Sequence, residues 1–482
     1  MSRADCAVFG IQGDTGGRVS RFIVHSDAVV LPAERGYSVQ AAAIVVDGHT
    51  IAEVRPGPAP AGAKTLGSQI VAPAFVNAHT HLSLSVLRGV GLSALRGNVV
   101  EDLYYRLESR YQPGDIEAFV RVAAVESLLT GTAVVWDHYY AAHEVVSACR
   151  DVGLSLVIAP TLQDLEGPGR GSLEQQLEAT VQITGDPALA QAGITAALGP
   201  HATDTVSAPL WARIAALAEA HQLPLHFHCA QSLEEYERAQ DRHGATPIRW
   251  LAANGWLDAA PSTLLVHGLY ADQRDLAVLN QDRVTLGYCP GSQAQYCFPA
   301  WYAGWRDAGF GVAVGTDCGA CNDGMNVQAE LKLVAGGALF GVAADPQYRA
   351  FWRGGAVSAS AVSQVRAARL ADAELDSSAL LSTVWDTPGA LHPALPCGRI
   401  EAGARANLLV FDPDHPSFWP GNDVLRAIAL QDVAPAIDRM MVNGRWLSEP
   451  GEHQRALTRS DVYRSAVAEA RVRLARLLNA TV

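Results

Sequence analysis

The chain has 482 residues, 49% hydrophobic and 18% charged, with a formal net charge of −13 at pH 7, which allows a large core and disfavours a nucleic-acid partner while tolerating a neutral or cationic small substrate. No uninterrupted apolar run reaches roughly 18 residues, and Met1-Ser2-Arg3-Ala4-Asp5-Cys6 has no apolar leader core, so neither a membrane span nor a signal peptide is read. Eight cysteines in so long a chain read as reduced thiols of a cytoplasmic protein, not as a disulfide framework.

Residues 1–70 read as short strands. Ala42-Ala43-Ile44-Val45-Val46, the turn pair Asp47-Gly48 and Ile51-Ala52-Glu53-Val54 predict a hairpin, and a Pro/Gly-rich break follows at 56–60. The apolar run 69–78 then leads into His79-Thr80-His81, where a strand would project two imidazoles to one side. Further strand-like runs lie at 132–137, 154–159, 194–199, 224–228, 263–267, 284–288 and 311–317, separated by helix-period segments such as 115–129 and 208–220. With the run at 70–78 this makes eight strands with intervening helices, the pattern of an α/β (β/α)8 TIM barrel over 71–394. Strand signals return at Ala406-Asn407-Leu408-Leu409-Val410-Phe411 and on both sides of Asn443-Gly444. The two β-rich ends, 1–70 plus 395–450, predict one small composite β-sandwich domain. The tail, 451–482, predicts a C-terminal helix with Tyr463, Val467, Ala470, Leu474 and Leu478 on one face, packed on the barrel or on a neighbouring subunit.

Barrel enzymes carry their chemistry at the C-terminal ends of the strands. Here those ends hold His79 and His81, Asp137-His138, Gly199-Pro200-His201, His226-Phe227-His228, His267 and Thr316-Asp317. Seven of the 15 histidines fall at these ends, more than a scatter would place there. Three imidazoles and a carboxylate suit zinc or ferrous iron with a position left for water, which the metal would acidify.

These residues and their surroundings resemble the amidohydrolase superfamily, in its atrazine/triazine hydrolase and aminohydrolase (deaminase) branch. Val71-Ala72-Pro73-Ala74-Phe75-Val76-Asn77-Ala78-His79-Thr80-His81-Leu82, Leu87-Arg88-Gly89, Leu129-Thr130-Gly131-Thr132, Gly199-Pro200-His201-Ala202, Leu223-Pro224-Leu225-His226-Phe227-His228, Leu265-Val266-His267-Gly268 and Val314-Gly315-Thr316-Asp317 match its successive motifs. So does Gly398-Arg399-Ile400-Glu401-Ala402-Gly403 before Ala406-Asn407-Leu408, and the likeness covers nearly the whole chain. The resemblance implies one divalent metal, Zn2+ in the first place and Fe2+ as the alternative, on His79, His81, His228 and Asp317. Asp317 would also take the proton of the attacking water, His267 would hold that water or the substrate, and His201 and Arg88 would face substrate. The strand-4 end offers no lysine for a carbamate bridge, so a single metal is expected. His226, one layer below His228, reads equally as a hydrogen-bonded core histidine or as support for a ligand, and His138 reads as packing. Members of the family are commonly homo-oligomers, so a homo-oligomer, a dimer first, is expected.

Three departures stand out. Deaminases of the family usually read His-x-x-Glu at strand 5, the Glu shuttling a proton, whereas here His228-Cys229-Ala230-Gln231 ends in an amide that can hydrogen-bond but not shuttle. Gln231 therefore stands as both a catalytic and a substrate-contacting position of altered chemistry, and neighbouring Glu234 and Glu235 read as solvated helix residues. Strand 7 shows Tyr288-Cys289-Pro290-Gly291-Ser292-Gln293 in place of His-Cys-Pro-x-Ser-Asn, and Val90-Gly91-Leu92-Ser93 replaces an acidic pair. Cys229, Cys289, Cys297, Cys318 and Cys321 read as small residues at the barrel mouth, and Trp136, Tyr139, Tyr140, Tyr296, Phe298 and Trp301 as core with some free to stack on a planar ring. The expected activity is metal-dependent hydrolysis of a C–N bond in a planar nitrogen-containing small molecule. The alternatives are loss of chloride or opening of a cyclic amide at the same site. A scaffold without catalysis would have no need of the full ligand set.

Overall fold

The computed structural model describes residues 21–90, 99–298, 300–371 and 373–479, so the segment read for a leader and Gly91-Leu92-Ser93 lie outside the described residues. The first strands are β1 (Phe22–Pro32), β2 (Tyr37–Asp47), β3 (Thr50–Pro56), β4 (Lys64–Thr65) and β5 (Ile70–Pro73). β2 and β3 form the predicted hairpin, with Gly48 at φ 62° supplying the left-handed residue its tight turn requires.

The apolar run around residue 70 is not one strand. It ends as β5 and restarts as β6 (Phe75–His81). Pro73 has no N–H to continue the ladder, Ala74 N–H donates to Asn407 O, and Phe75 N–H already donates to Gly131 O. The chain thus steps from one sheet to another within three residues.

β6 is followed by β7 (Thr132–Tyr139), β8 (Ser155–Leu162), β9 (Ile194–Ala196), β10 (Gly199–Pro200), β11 (Leu225–Cys229), β12 (Thr263–His267), β13 (Val284–Tyr288), β14 (Gly311–Val314) and β15 (Asp317–Cys318). They form two parallel sheets, β10-β8-β7-β6-β15 with β9 on β8, and β11-β12-β13-β14. A parallel bridge, Leu198↔Leu225, joins the two at one edge. At the other, Gly315 N–H donates to Tyr288 O, while Val384 O and Thr383 O accept from Val76 and Val314. β7 and β8 are buried along their whole length, as parallel strands covered by helices must be. The predicted fourth and eighth strands are each interrupted. At Thr316 the ladder gives way to side chains: Asn77 Oδ1 accepts from Thr316 N–H at 3.0 Å and Asn77 Nδ2 donates to Thr316 Oγ1 at 2.8 Å.

β16 (Leu408–Phe411), β17 (Ile437–Val442) and β18 (Arg445–Trp446) return to the first sheet, whose order is β18-β17-β16-β5-β1-β2-β3. One β-rich sheet is therefore built from both ends of the chain, beside the mixed α/β body. Two helices follow, His453–Arg459 and Asp461–Asn479. The longer one buries Ala466, Ala470 and Leu477 and packs Tyr463 and Leu474 of the predicted face partly against the core. Arg473 and Arg476 of this helix pair with the buried carboxylate of Asp115 on the helix Asp115–Leu129, with Arg473 Nη1 2.9 Å from Asp115 Oδ1. No helix among the described residues is long and apolar enough to cross a membrane.

Close backbone approach fixes β6 against the Gly315 turn: a Cβ at Gly315 would lie 2.6 Å from His79 N and 2.8 Å from His79 O. Gly315→Ala is expected to lower the free energy of unfolding by about 1–3 kcal/mol. Urea titration checks this, and a wild-type midpoint would contradict it.

Candidate active site

β6 presents His79 and His81 to one side and Thr80 to the other. Thr80 Oγ1 and Leu82 N–H both donate to Asp137 Oδ2, at 2.8 and 2.7 Å, so the carboxylate at the end of β7 clamps this strand from behind. Asp137 is fully buried, and burial pushes its carboxyl up to about 6.

The ring orientations follow from what the other nitrogen of each imidazole meets. His81 Nδ1 lies 2.5 Å from His138 O, and His228 Nδ1 lies 2.9 Å from His201 O. A carbonyl only accepts, so both Nδ1 atoms carry the hydrogen and both Nε2 atoms keep a lone pair. Those two Nε2 atoms are 3.2 Å apart. Two acceptors at that distance repel unless a cation stands between them. Zinc–nitrogen bonds of about 2.0–2.1 Å at a tetrahedral angle would set two ligand nitrogens roughly 3.3 Å apart.

His79 faces the same point. Its Nδ1 pairs with His226 Nε2 at 2.8 Å, and its wholly buried Nε2 has no hydrogen-bond partner, 3.9 Å from Asp317 Oδ1. His81 Nε2 lies 3.6 Å from the same oxygen. His79, His81 and Asp317 each offer one ligand atom within 4.8 Å of the others, as do His79, His228 and His267. Orphaned lone pairs beside a carboxylate fit a divalent cation. Burial, with neighbouring imidazoles adding to it, holds His79 and His228 well below the ordinary histidine range, so their lone pairs are free at neutral pH.

Asp317 is held in the left-handed region at φ 60°, and His267 at φ 78°. Non-glycine residues tolerate that conformation only where the surroundings impose it. Asp317 Oδ1 accepts from Cys318 N–H and Oδ2 from Ser292 Oγ, each at 2.7 Å. His267 has no partner on either ring nitrogen, and burial lowers it to about 4 despite Asp317. His226 turns out to be both a core histidine and the support of His79, and the His138 carbonyl supports His81.

A cavity of about 460 Å³ opens over this cluster, with His201, His267 and Gln231 in its wall. Arg88 is not among its described lining residues; its guanidinium pairs with Glu126 at 3.0 Å and reaches Gly319 O. Glu235 corrects the reading of a solvated helix residue. It is 3% exposed and lines the cavity, accepting from Thr203 Oγ1 at 2.6 Å and from Gln231 N–H at 2.9 Å. The helix Leu233–His243 is capped by Ser232 and buries Glu235 and Ala239, so position 235 lies on its inward face. Burial, with Asp204 adding to it, pushes the Glu235 carboxyl up to about 7.

Two groups escaped the sequence reading. Glu108 lines the cavity and accepts from Tyr139 OH at 2.7 Å, and burial pushes it up to about 7. Gln293 is buried there with a free side-chain amide. A lone Glu between tyrosines and an amide after a serine carry no spacing signal; only the departure at strand 7 pointed near either. Tyr139, Tyr140, Tyr296 and Phe298 line the cavity, whereas Trp136 is buried beneath it and Trp301 is exposed. All seven described cysteines are free, and the Cys321 thiol donates to Cys318 O at 3.0 Å.

Removing the ring behind His79 with His226→Phe is expected to weaken metal binding roughly 10- to 100-fold, read by chelator competition. For Glu108, a carboxyl raised from 4.5 to about 7 keeps its proton when the unfolded chain has lost its own, so its contribution is complete below that window and fades as pH rises through it. Glu108→Gln should therefore gain on wild type by about 1–3 kcal/mol between roughly pH 5 and pH 8 in urea unfolding. A difference independent of pH would contradict the burial argument.

Comparison with known proteins agrees with this geometry. The 5-methylthioadenosine/S-adenosylhomocysteine deaminase of Natronomonas pharaonis is 26% identical over 421 residues, 86% of this chain and 90% of that one. The crystal structure of an adenosine deaminase from Xanthomonas campestris with bound zinc superposes with a TM-score of 0.77 at 20% identity, covering 95% of this chain and 98% of the other. Atrazine chlorohydrolase TrzN from Arthrobacter aurescens TC1, complexed with zinc, gives 0.74 at 19% identity, covering 94% and 100%. Residues 70–345, more than half of the sequence and the whole span of the histidine cluster and Asp317, match the Amidohydrolase family, and the chain belongs to that family.

Proposed function

We propose that the protein is a metal-dependent hydrolase that cleaves a C–N bond of a planar nitrogen-containing small molecule, releasing ammonia or an amine. The observation that carries this reading is the pair of Nε2 lone pairs of His81 and His228, 3.2 Å apart beside Asp317 at the floor of the cavity. His79, His81, His228 and Asp317 would hold one divalent ion, zinc first and ferrous iron as the alternative. Such an ion supplies Lewis acidity, which makes water a nucleophile near neutral pH.

The chain's own groups do the rest. Asp317, with Oδ1 toward the histidines and Oδ2 held by Ser292, takes the proton of the attacking water and passes it to the departing nitrogen. His267, neutral and unpartnered, donates a hydrogen bond to the charge that develops on the substrate. Gln231, whose N–H is anchored by Glu235, orients the substrate through its amide, and His201 borders the same space. Tyr139, Tyr140 and Tyr296 offer faces for a flat ring. The deaminase relatives support the C–N bond as the target.

Gln231 favours a second reading. Without a carboxylic acid there, ammonia leaves less easily, whereas chloride needs no protonation, and a structural neighbour is a chlorohydrolase. In either case we read the two parallel sheets as one (β/α)8 barrel over 71–394, with a composite β-sandwich of 1–70 and 395–450, a helical tail at 451–482, and a homodimer in the cytoplasm as the working form.

Ammonia and chloride release from aminopurines, aminopyrimidines, pterins and chlorotriazines by metal-loaded protein tests both readings. Deamination predicts ammonia from at least one member, abolished by chelation, and a loss of about 10²–10⁴ in kcat for Asp317→Asn at full metal content. Gln231→Glu should raise ammonia release at least about tenfold. Chloride release without ammonia would replace the first reading by the second, and silence of the whole set would sink both.

A further inference from the structure

Among the described residues, Gln293 is the one side-chain amide with both heteroatoms buried and without a partner. It is 3% exposed and lines the same cavity as His81, His228 and Asp317. Asn407 and Asn443, the other amides with an orphaned atom, each have their second atom bonded, to Asn443 N–H and to Ser155 Oγ among others. A buried amide left unpaired is unfavourable, so its neighbours in a working protein must include something that both donates and accepts.

The position of this amide is tightly determined. Gln293 opens no loop of its own: it lies in the helical turn Pro290–Gln295, its N–H donates to Cys289 O at 3.0 Å, and its carbonyl accepts from Phe298 N–H at 2.9 Å. One residue earlier, Ser292 Oγ donates to Asp317 Oδ2. Two residues earlier, Gly291 N–H donates to Glu330 Oε2 at 2.7 Å, while Glu330 Oε1 accepts from Asn322 Nδ2 at 2.8 Å. A Cβ at Gly291 would stand 2.2 Å from Asn322 Oδ1. The turn is thereby tied to Asp317 through Ser292 and to Asn322 through Gly291 and Glu330, and the Gln293 backbone between Cys289 and Phe298 is fixed beside them.

An amide offers one acceptor and two donors in a plane. Its natural complement is a planar edge with a donor beside an acceptor. We propose that Gln293 is a specificity-determining residue that grips a second edge of the substrate ring, an N–H beside a C=O, away from the C–N bond that is cut. This deepens the hydrolase reading and rests on it for the identity of the cut bond. It narrows the substrate class to nitrogen heterocycles that carry a lactam edge, with Gln293 Oε1 accepting from the ring N–H and Nε2 donating to the ring oxygen.

The test compares matched probes on metal-loaded protein: cytosine against 4-aminopyrimidine, and isocytosine against 2-aminopyrimidine, by calorimetric binding and by kcat/KM. Wild type should prefer the lactam-bearing member of each pair about tenfold or more, and Gln293→Met should bring that ratio close to one, with the change in KM rather than kcat. Gln293→Glu, which sets a carboxylate against the ring oxygen, should lower the ratio as well and serves if the first variant does not fold. A wild-type protein with no preference, including one that binds neither member, overturns the proposal, and so does a ratio that either folded variant leaves unchanged. Binding is read without turnover, so a preference that the variants abolish supports this assignment even where these four compounds release no ammonia, and the hydrolase reading stands or falls on the wider panel.

Discussion

Two imidazole lone pairs pointed at each other across 3.2 Å are the constraint around which this molecule is arranged. They face each other because the opposite nitrogens of His81 and His228 are committed to backbone carbonyls, of His138 and His201. Those carbonyls belong to the ends of β7 and to the residue after β10, so the tautomers are decided by how the neighbouring strands end. A site of this kind does not need the metal to teach the rings where to point. The scaffold sets the two lone pairs in opposition by itself, and a cation placed between them would relieve the repulsion.

Much of the remaining structure serves to keep that confrontation in place. Asp137 clamps Thr80 and Leu82 from behind β6, and Asn77 reaches across to Thr316. Gly315 lets its backbone touch His79 where any side chain would push the strand away. Glu330 and Ser292 tie the turn after β13 to Asp317. All of these groups are buried where water cannot compete.

Above this floor the cavity wall is acidic and aromatic. Glu108 and Glu235 are raised carboxyls, with tyrosines around them, and Arg88, the cation expected to face substrate, is turned to Glu126.

The order of strands and the residues at their ends were legible in the sequence, since apolar runs of five to eight residues and the histidines that close them are local signals. The split at Pro73 was half legible: the proline was visible, but not that Asn407, over three hundred residues away, would accept from the next N–H. Glu235 was misjudged because a carboxylate on a helix is usually solvated, whereas here Thr203 Oγ1 and Gln231 N–H, from outside that helix, meet it in the buried interior. Glu108 was invisible and Gln293 showed only as a departure from the strand-7 motif, because nothing in a sequence says which polar group a fold will leave facing a cavity without a partner. The sequence by itself determined which side chains can bind a cation and that they fall at the ends of successive strands. The tertiary structure alone decided which nitrogen of each ring is free, which carboxyl is buried and which amide is left unpaired, because each of those depends on a partner brought from a distant part of the chain.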